Sequence, residues 1–163
     1  MRSNQWRARI KYLCHAAIIA AMYVILTILS AALGLASGPI QVRFSEALCV
    51  LPYFTSAAVP GLTVGCLLAN IFTSGNILDI VFGTLATFIG AIGALLLKRY
   101  KYIITLPTIA ANTLILPFVL KYMFMLNDTV FFLAATIFAG EFISAGLMGT
   151  VLLLAMIKRS ERK

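Results

Sequence analysis

The sequence predicts an all-α protein, a polytopic bundle of six transmembrane helices in a single domain covering residues 1–163. Three observations predict it. Hydrophobic residues make up 62% of the chain and charged residues only 11%, at a mean hydropathy of +1.03, whereas a soluble domain carries about 25% charged residues. A spanning helix takes about 20 apolar residues, so a chain of 163 residues has room for about six spans and short loops. The basic residues, which give a net charge of +8, fall in three short clusters between or beyond apolar runs. That is the pattern of the positive-inside rule, so membrane lipid is the expected surrounding and no nucleic-acid partner is expected.

The first span is placed at 12–33. Its basic lead-in (Arg2, Arg7, Arg9, Lys11) and the small residues from Ala36 to Gly38 imitate a secretory signal. The apolar run from Leu13 to Leu35 is longer than a signal core of about 7–15 residues, so a retained helix is expected. A loop, 34–41, leads to a short second span at 43–57, closed by the turn-forming stretch Ser56 to Gly61. The third span, 60–73, is also short and ends at the turn Ser74-Gly75-Asn76. The second and third are short enough to tilt or to be partly re-entrant. The fourth, 77–97, stops at Lys98-Arg99-Tyr100-Lys101. The fifth, 102–120, carries Pro107 and Pro117, which membrane helices tolerate. After a loop from Lys121 to Asp128, Asn127-Asp128-Thr129 has the form of a helix N-cap for the sixth span, 129–157, which ends before Lys158-Arg159.

Placing both termini in the cytoplasm puts eleven of the thirteen basic residues on one side; Arg43 and Lys121 alone fall outside. The bias requires an even number of spans. Small residues recur four apart at Ala16 and Ala20, Ala17 and Ala21, Gly61 and Gly65, and Ala86 and Gly90. Such pairs let helix backbones approach closely. The doubled alanine pattern on the first span makes a smooth stripe, suited to internal packing or to docking of another membrane subunit.

Several kinds of chemistry are excluded. Cys14, Cys49 and Cys66 lie in apolar segments without metal-ligand spacing and read as buried, inert thiols. The lone His15 reads as an interfacial anchor at the inner end of the first span. The chain lacks a GxxxxGK[ST] phosphate loop, a HExxH motif and any Ser/His/Asp set. It is therefore not expected to be an enzyme, to use a cofactor or metal, or to drive ATP-dependent transport alone.

The informative residues are polar groups inside the spans, which cost about 2.5–3.5 kcal/mol each when charged at a helix centre and are functional by default. They are Glu46, Asp79 and Glu141, with Asn70 and Asn112 as neutral companions. They come from five spans and share the outer half of the bundle, as a pocket open to the outside requires. Each has a plainer reading. Asp79 can tie down a helix terminus, Asn70 and Asn112 can be interhelical glue, Glu46 can pair with Arg43 three residues away, and Asp128 can cap a helix. Glu141 is the deepest and has no basic neighbour in sequence. Two cations, Arg43 and Lys121, face four acids on the outer side, Glu46, Asp79, Asp128 and Glu141. This balance favours a cationic or donor-rich ligand over one that carries carboxylates.

The run Gln41-Val-Arg-Phe-Ser-Glu-Ala-Leu-Cys-Val-Leu-Pro-Tyr-Phe54, then Ala58 to Gly61, Gly65 to Asn70, and Ile77-Leu-Asp-Ile-Val-Phe-Gly-Thr-Leu-Ala-Thr87 resembles the QueT family. That family comprises the substrate-binding (S) components of energy-coupling factor (ECF) transporters. The resemblance implies a six-helix S-component bundle and a queuosine precursor as ligand, the 7-deazaguanine preQ1 foremost. It also implies one transmembrane coupling subunit and two ATPase subunits as partners, with Ala16, Ala17, Ala20 and Ala21 as the surface that docks on the coupling subunit. A deazaguanine edge offers adjacent N–H donors and a carbonyl acceptor, which carboxylates and amides match. On this reading Glu141 or Asp79 holds that edge, Glu46 takes the aminomethyl cation, and Asn70 and Asn112 serve the remaining edge atoms. Arg43 holds Glu46 or gates the loop, and Phe44 or Phe72 stacks on the base. Two other readings stand beside it: an S component for another cationic or neutral vitamin, and a scaffold that only assembles membrane proteins.

Overall fold

A computed structural model describes residues 2–36, 40–124 and 129–162, with side chains for 5–36, 40–122 and 129–162. Helix α1 runs Arg2–Ala32, α2 Ala58–Thr73, α3 Ile77–Leu96, α4 Leu106–Phe124, α5 Val130–Glu141 and α6 Gly149–Glu161. A 3₁₀ helix, Phe44–Tyr53, lies between α1 and α2, and a π-helical segment, Phe142–Met148, joins α5 to α6 without a break. Among the described residues there is no strand. Among the described residues three helices are long and apolar enough to cross a membrane: Gln5–Ala32, Ile77–Leu96 and the joined Val130–Glu161. Two shorter apolar helices accompany them, Ala58–Thr73 and Leu106–Tyr122.

The bundle is apolar on its outside. On α1, Ile18, Met22, Ile25 and Leu29 are exposed, while Ile19, Tyr23, Thr27 and Ser30 are buried. An apolar face this large would be a liability in water; in lipid it is the solvated surface. Helices α1, α2, α3, α4 and α5 pack each against the next in chain order. The 3₁₀ helix sits inside them and touches α1, α3, α6 and the π segment.

That 3₁₀ helix occupies the place of the expected second span and differs from it. It is ten residues long and buried from Ser45 to Pro52, so it packs inside the protein rather than facing lipid. At 2.0 Å per residue it covers about 20 Å, against about 15 Å for ten residues of α-helix. The tighter helix therefore carries a short sequence further than an α-helix of the same length would. Runs longer than three or four residues are uncommon in this geometry, and this one is held by side chains from its neighbours.

The close approaches follow the small residues. A Cβ on Gly61 would lie 2.8 Å from the Ala16 carbonyl oxygen, and one on Gly65 would lie 2.7 Å from Tyr23 Cβ and 3.0 Å from Ala20 Cα. The α1–α2 seam thus uses Ala16 and Ala20, and leaves Ala17 and Ala21 exposed. The four alanines do not form one free stripe.

Other boundaries shift for local reasons. Helix α4 starts at Leu106 rather than 102, after turns linking Leu97, Tyr100, Ile103 and Leu106. Pro107 has no N–H to give an earlier turn and suits the first turn of a helix. Helix α1 begins at Arg2, and α6 reaches Glu161 with Lys158 and Arg159 in its last turn, where cations favour the helix dipole. Cys49 and Cys66 are buried and free, whereas Cys14 is free and exposed, which corrects the expectation that all three thiols are buried. His15 is exposed. Asn127 and Asp128, expected to cap the last span, lie outside the described residues; Thr129 occupies the N-cap of α5 with no side-chain cap bond.

Candidate functional site

Glu46 and Glu141 are brought into one buried cluster by elements far apart in sequence. Glu46 lies in the first turn of the 3₁₀ helix, 3% exposed; Glu141 ends α5, 8% exposed. At 1.5 Å per residue Glu141 stands about 17 Å along α5 from Val130. Asn112, buried on α4, donates from Nδ2 to Glu141 Oε1 at 2.9 Å and also approaches Glu46. Glu141 Oε2 is buried with no hydrogen-bond partner. On the same helix as Asn112, the hydroxyl oxygens of Thr108 and Thr113 are also buried without partners. A buried polar atom without a partner costs about 1–3 kcal/mol, so Glu141 Oε2 is an acceptor short of a donor.

The position of Glu141 depends on its neighbour. A Cβ on Gly140 would collide with the backbone carbonyl oxygen of Gln41, so only glycine lets the approach to the 3₁₀ helix lie against α5. Ser144, one turn on in the π segment, accepts from the Arg43 amide at 3.1 Å and donates to the Gly140 carbonyl at 2.9 Å. π segments inside α-helices occur frequently at functional sites.

Helix α1 holds the other side of the 3₁₀ helix. The Tyr23 hydroxyl donates to Glu46 Oε1 at 2.5 Å, Thr27 and Ser45 share a hydrogen bond at 2.8 Å, and Ser30 Oγ accepts from the Phe44 amide at 2.8 Å. Tyr23, Thr27 and Ser30 were not singled out in the sequence. Their signal was present: they continue the face of Ala16 and Ala20 at steps of three and four residues.

Arg43 does not hydrogen-bond to Glu46; its Nη2 donates to Gln41 Oε1 at 3.5 Å. Asp79 is half-buried in the first turn of α3, where Asn76 supplies the cap by accepting from the Leu78 amide at 3.1 Å. Asn70 belongs to the α2–α3 seam. Its Nδ2 donates to Cys66 Sγ at 3.4 Å and to the Asp79 carbonyl at 3.4 Å, and a Cβ on Gly83 would stand 2.8 Å from it.

The two aromatic residues expected to stack on a base stand elsewhere. Phe72 is 70% exposed near the end of α2. Phe44 lines an apolar groove of about 620 Å³ between α1 and α6, with Met22, Leu26, Leu147 and Val151. Among the described residues no group of three or more His, Cys, Asp or Glu side chains is placed to hold a metal ion.

Comparison with known proteins agrees with a transport protein. The queuosine precursor transporter QueT of Lactococcus lactis subsp. cremoris (strain MG1363) is 38% identical over 86 residues, which are 52% of this chain. The chain spans about half, 50%, of that relative's length. No solved structure matches the chain significantly. The sequence model described as QueT transporter matches residues 13–158, from α1 to the basic end of α6, and the chain belongs to that family.

Proposed function

We propose that this chain is the substrate-binding subunit of an ECF-type importer in the bacterial cytoplasmic membrane, and that it takes up a queuosine precursor, preQ1 foremost. The family and the name of the lactococcal relative support the class of ligand. The observation that carries the reading is the cluster itself: two buried carboxylates, Glu46 bonded by Tyr23 and Glu141 by Asn112, with Glu141 Oε2 left open as an acceptor.

In this reading Glu141 accepts from the guanine-like edge, Asn112 serves the adjoining edge atoms, and Glu46 faces the aminomethyl cation. Arg43 stays with Gln41, to which it donates, and Asp79 with the first turn of α3. Asn70 stays with the helix seam, and neither Phe72 nor Phe44 stacks on the base. The chain crosses the membrane six times, with the 3₁₀ helix as the second, protein-enclosed crossing, and both ends lie in the cytoplasm. It binds and does no covalent chemistry. Because it carries no phosphate loop, two ATPase subunits drive it through a coupling subunit, which meets α1 at the exposed Ala17 and Ala21.

A scaffold without a ligand would have its buried acids fully paired, and Glu141 is not. Thermal unfolding of the purified protein with preQ1, riboflavin and thiamine tests the reading. Stabilisation by preQ1 at concentrations where the vitamins have no effect is expected. Stabilisation by a vitamin alone would replace the ligand, and by none of them would favour the scaffold.

A further inference from the structure

Tyr23 has no place in the scheme above, yet it makes a short contact with one of the two acids. Its hydroxyl donates to Glu46 Oε1 at 2.5 Å, and the residue is 2% exposed. Its Cβ is one of the atoms that a Cβ on Gly65 would strike, so the base of the side chain is wedged into the α1–α2 seam. One turn further along α1, Thr27 bonds to Ser45, the residue before Glu46. A buried carboxylate on a ten-residue 3₁₀ helix has several rotamers open to it. The Tyr23 bond selects one and occupies Oε1.

We propose that Tyr23 is a positioning residue for ligand binding: it fixes the Glu46 carboxylate so that Glu46 faces the cationic group of a bound 7-deazaguanine amine. This rests on the ligand assignment above. It assigns α1 a role in ligand selectivity, and it ties that role to the seam with α2.

The test is a double-mutant cycle on the full-length protein. The affinity of preQ1 and of its neutral 7-cyano counterpart is measured for the native protein, Tyr23→Phe, Glu46→Gln and the double variant. Tyr23→Phe keeps the ring and the seam. It is expected to weaken preQ1 binding about tenfold and the nitrile less than threefold, and to add little once Glu46 is Gln. Thr63→Val, which removes a hydroxyl that bonds to the Val59 carbonyl within α2, is expected to change both affinities less than threefold. Equal losses for the two ligands, or additive losses in the double variant, would overturn the proposal. So would an unchanged Tyr23→Phe alongside a weakened Glu46→Gln, and in that case the ligand assignment stands. An unchanged Glu46→Gln would instead remove Glu46 from the site and Tyr23 with it.

Discussion

Two polar regions sit inside this bundle, and they use the same kinds of residue for opposite ends. In the α2–α3 seam, Asn70 donates to Cys66 and to the Asp79 carbonyl, and Thr87 donates to the Gly83 carbonyl and to Cys66. Those groups satisfy each other. In the centre, Asn112 donates to Glu141, yet Glu141 Oε2 remains without a partner. Asn70 thus bonds within its seam, whereas the acid held by Asn112 keeps one oxygen in reserve. An asparagine near the end of a span is therefore ambiguous until its neighbours are known.

Substitutions can break this contrast. The largest effect is expected from Gly140→Ala, whose added Cβ meets backbone rather than a movable side chain. Overpacking of this kind costs about 3 kcal/mol, seen as a fall in Tm in detergent together with lost preQ1 binding. An unchanged Tm would mean that the approach of Gln41 to α5 is not required. Next is Asn112→Ala, which strips the donor from Glu141 Oε1. A loss of about 2 kcal/mol of binding, read by calorimetry as roughly a 30-fold weaker Kd, would place Asn112 with the site; a change in Tm alone would move it to the seam class.

Asn70→Val should do the reverse. It is expected to lower stability by about 1 kcal/mol and to leave preQ1 affinity within about threefold. A loss of affinity as large as that of Asn112→Ala would erase the distinction between the regions. The smallest effect on stability is expected at Ala17→Leu and Ala21→Leu, exposed positions where changes stay within about 0.5 kcal/mol. Their effect should appear only as failure to copurify with the coupling subunit.

Much of the fold was legible because it rests on local pattern. Apolar runs and basic clusters gave the helices and their order, with boundary errors at Pro107 and at the basic ends of α1 and α6. The second span was not legible as a 3₁₀ helix, because Phe44–Tyr53 is apolar enough for either form and what decides is enclosure by α1, α3 and α6. Glu46, Asn112 and Glu141 stood out as polar residues in apolar runs. Which of the five such residues would meet depended on helix rotation, to which composition is blind. Arg43 shows the same limit: spacing suggested Glu46 as its partner, whereas Glu46 is held by Tyr23, twenty-three residues away. Tyr23, Thr27 and Ser30 escaped notice because a tyrosine and two hydroxyls are unremarkable in a membrane helix, where they bond locally.

The central claim is that Glu141 keeps an oxygen free for a ligand. Calorimetric titration of preQ1 into the native protein and Glu141→Gln, with Tm measured on both, tests it most directly. The expected result is an affinity about 100-fold lower in the variant, equivalent to about 2.7 kcal/mol, with Tm unchanged or raised. An unchanged affinity would contradict the assignment of this cluster as the binding site.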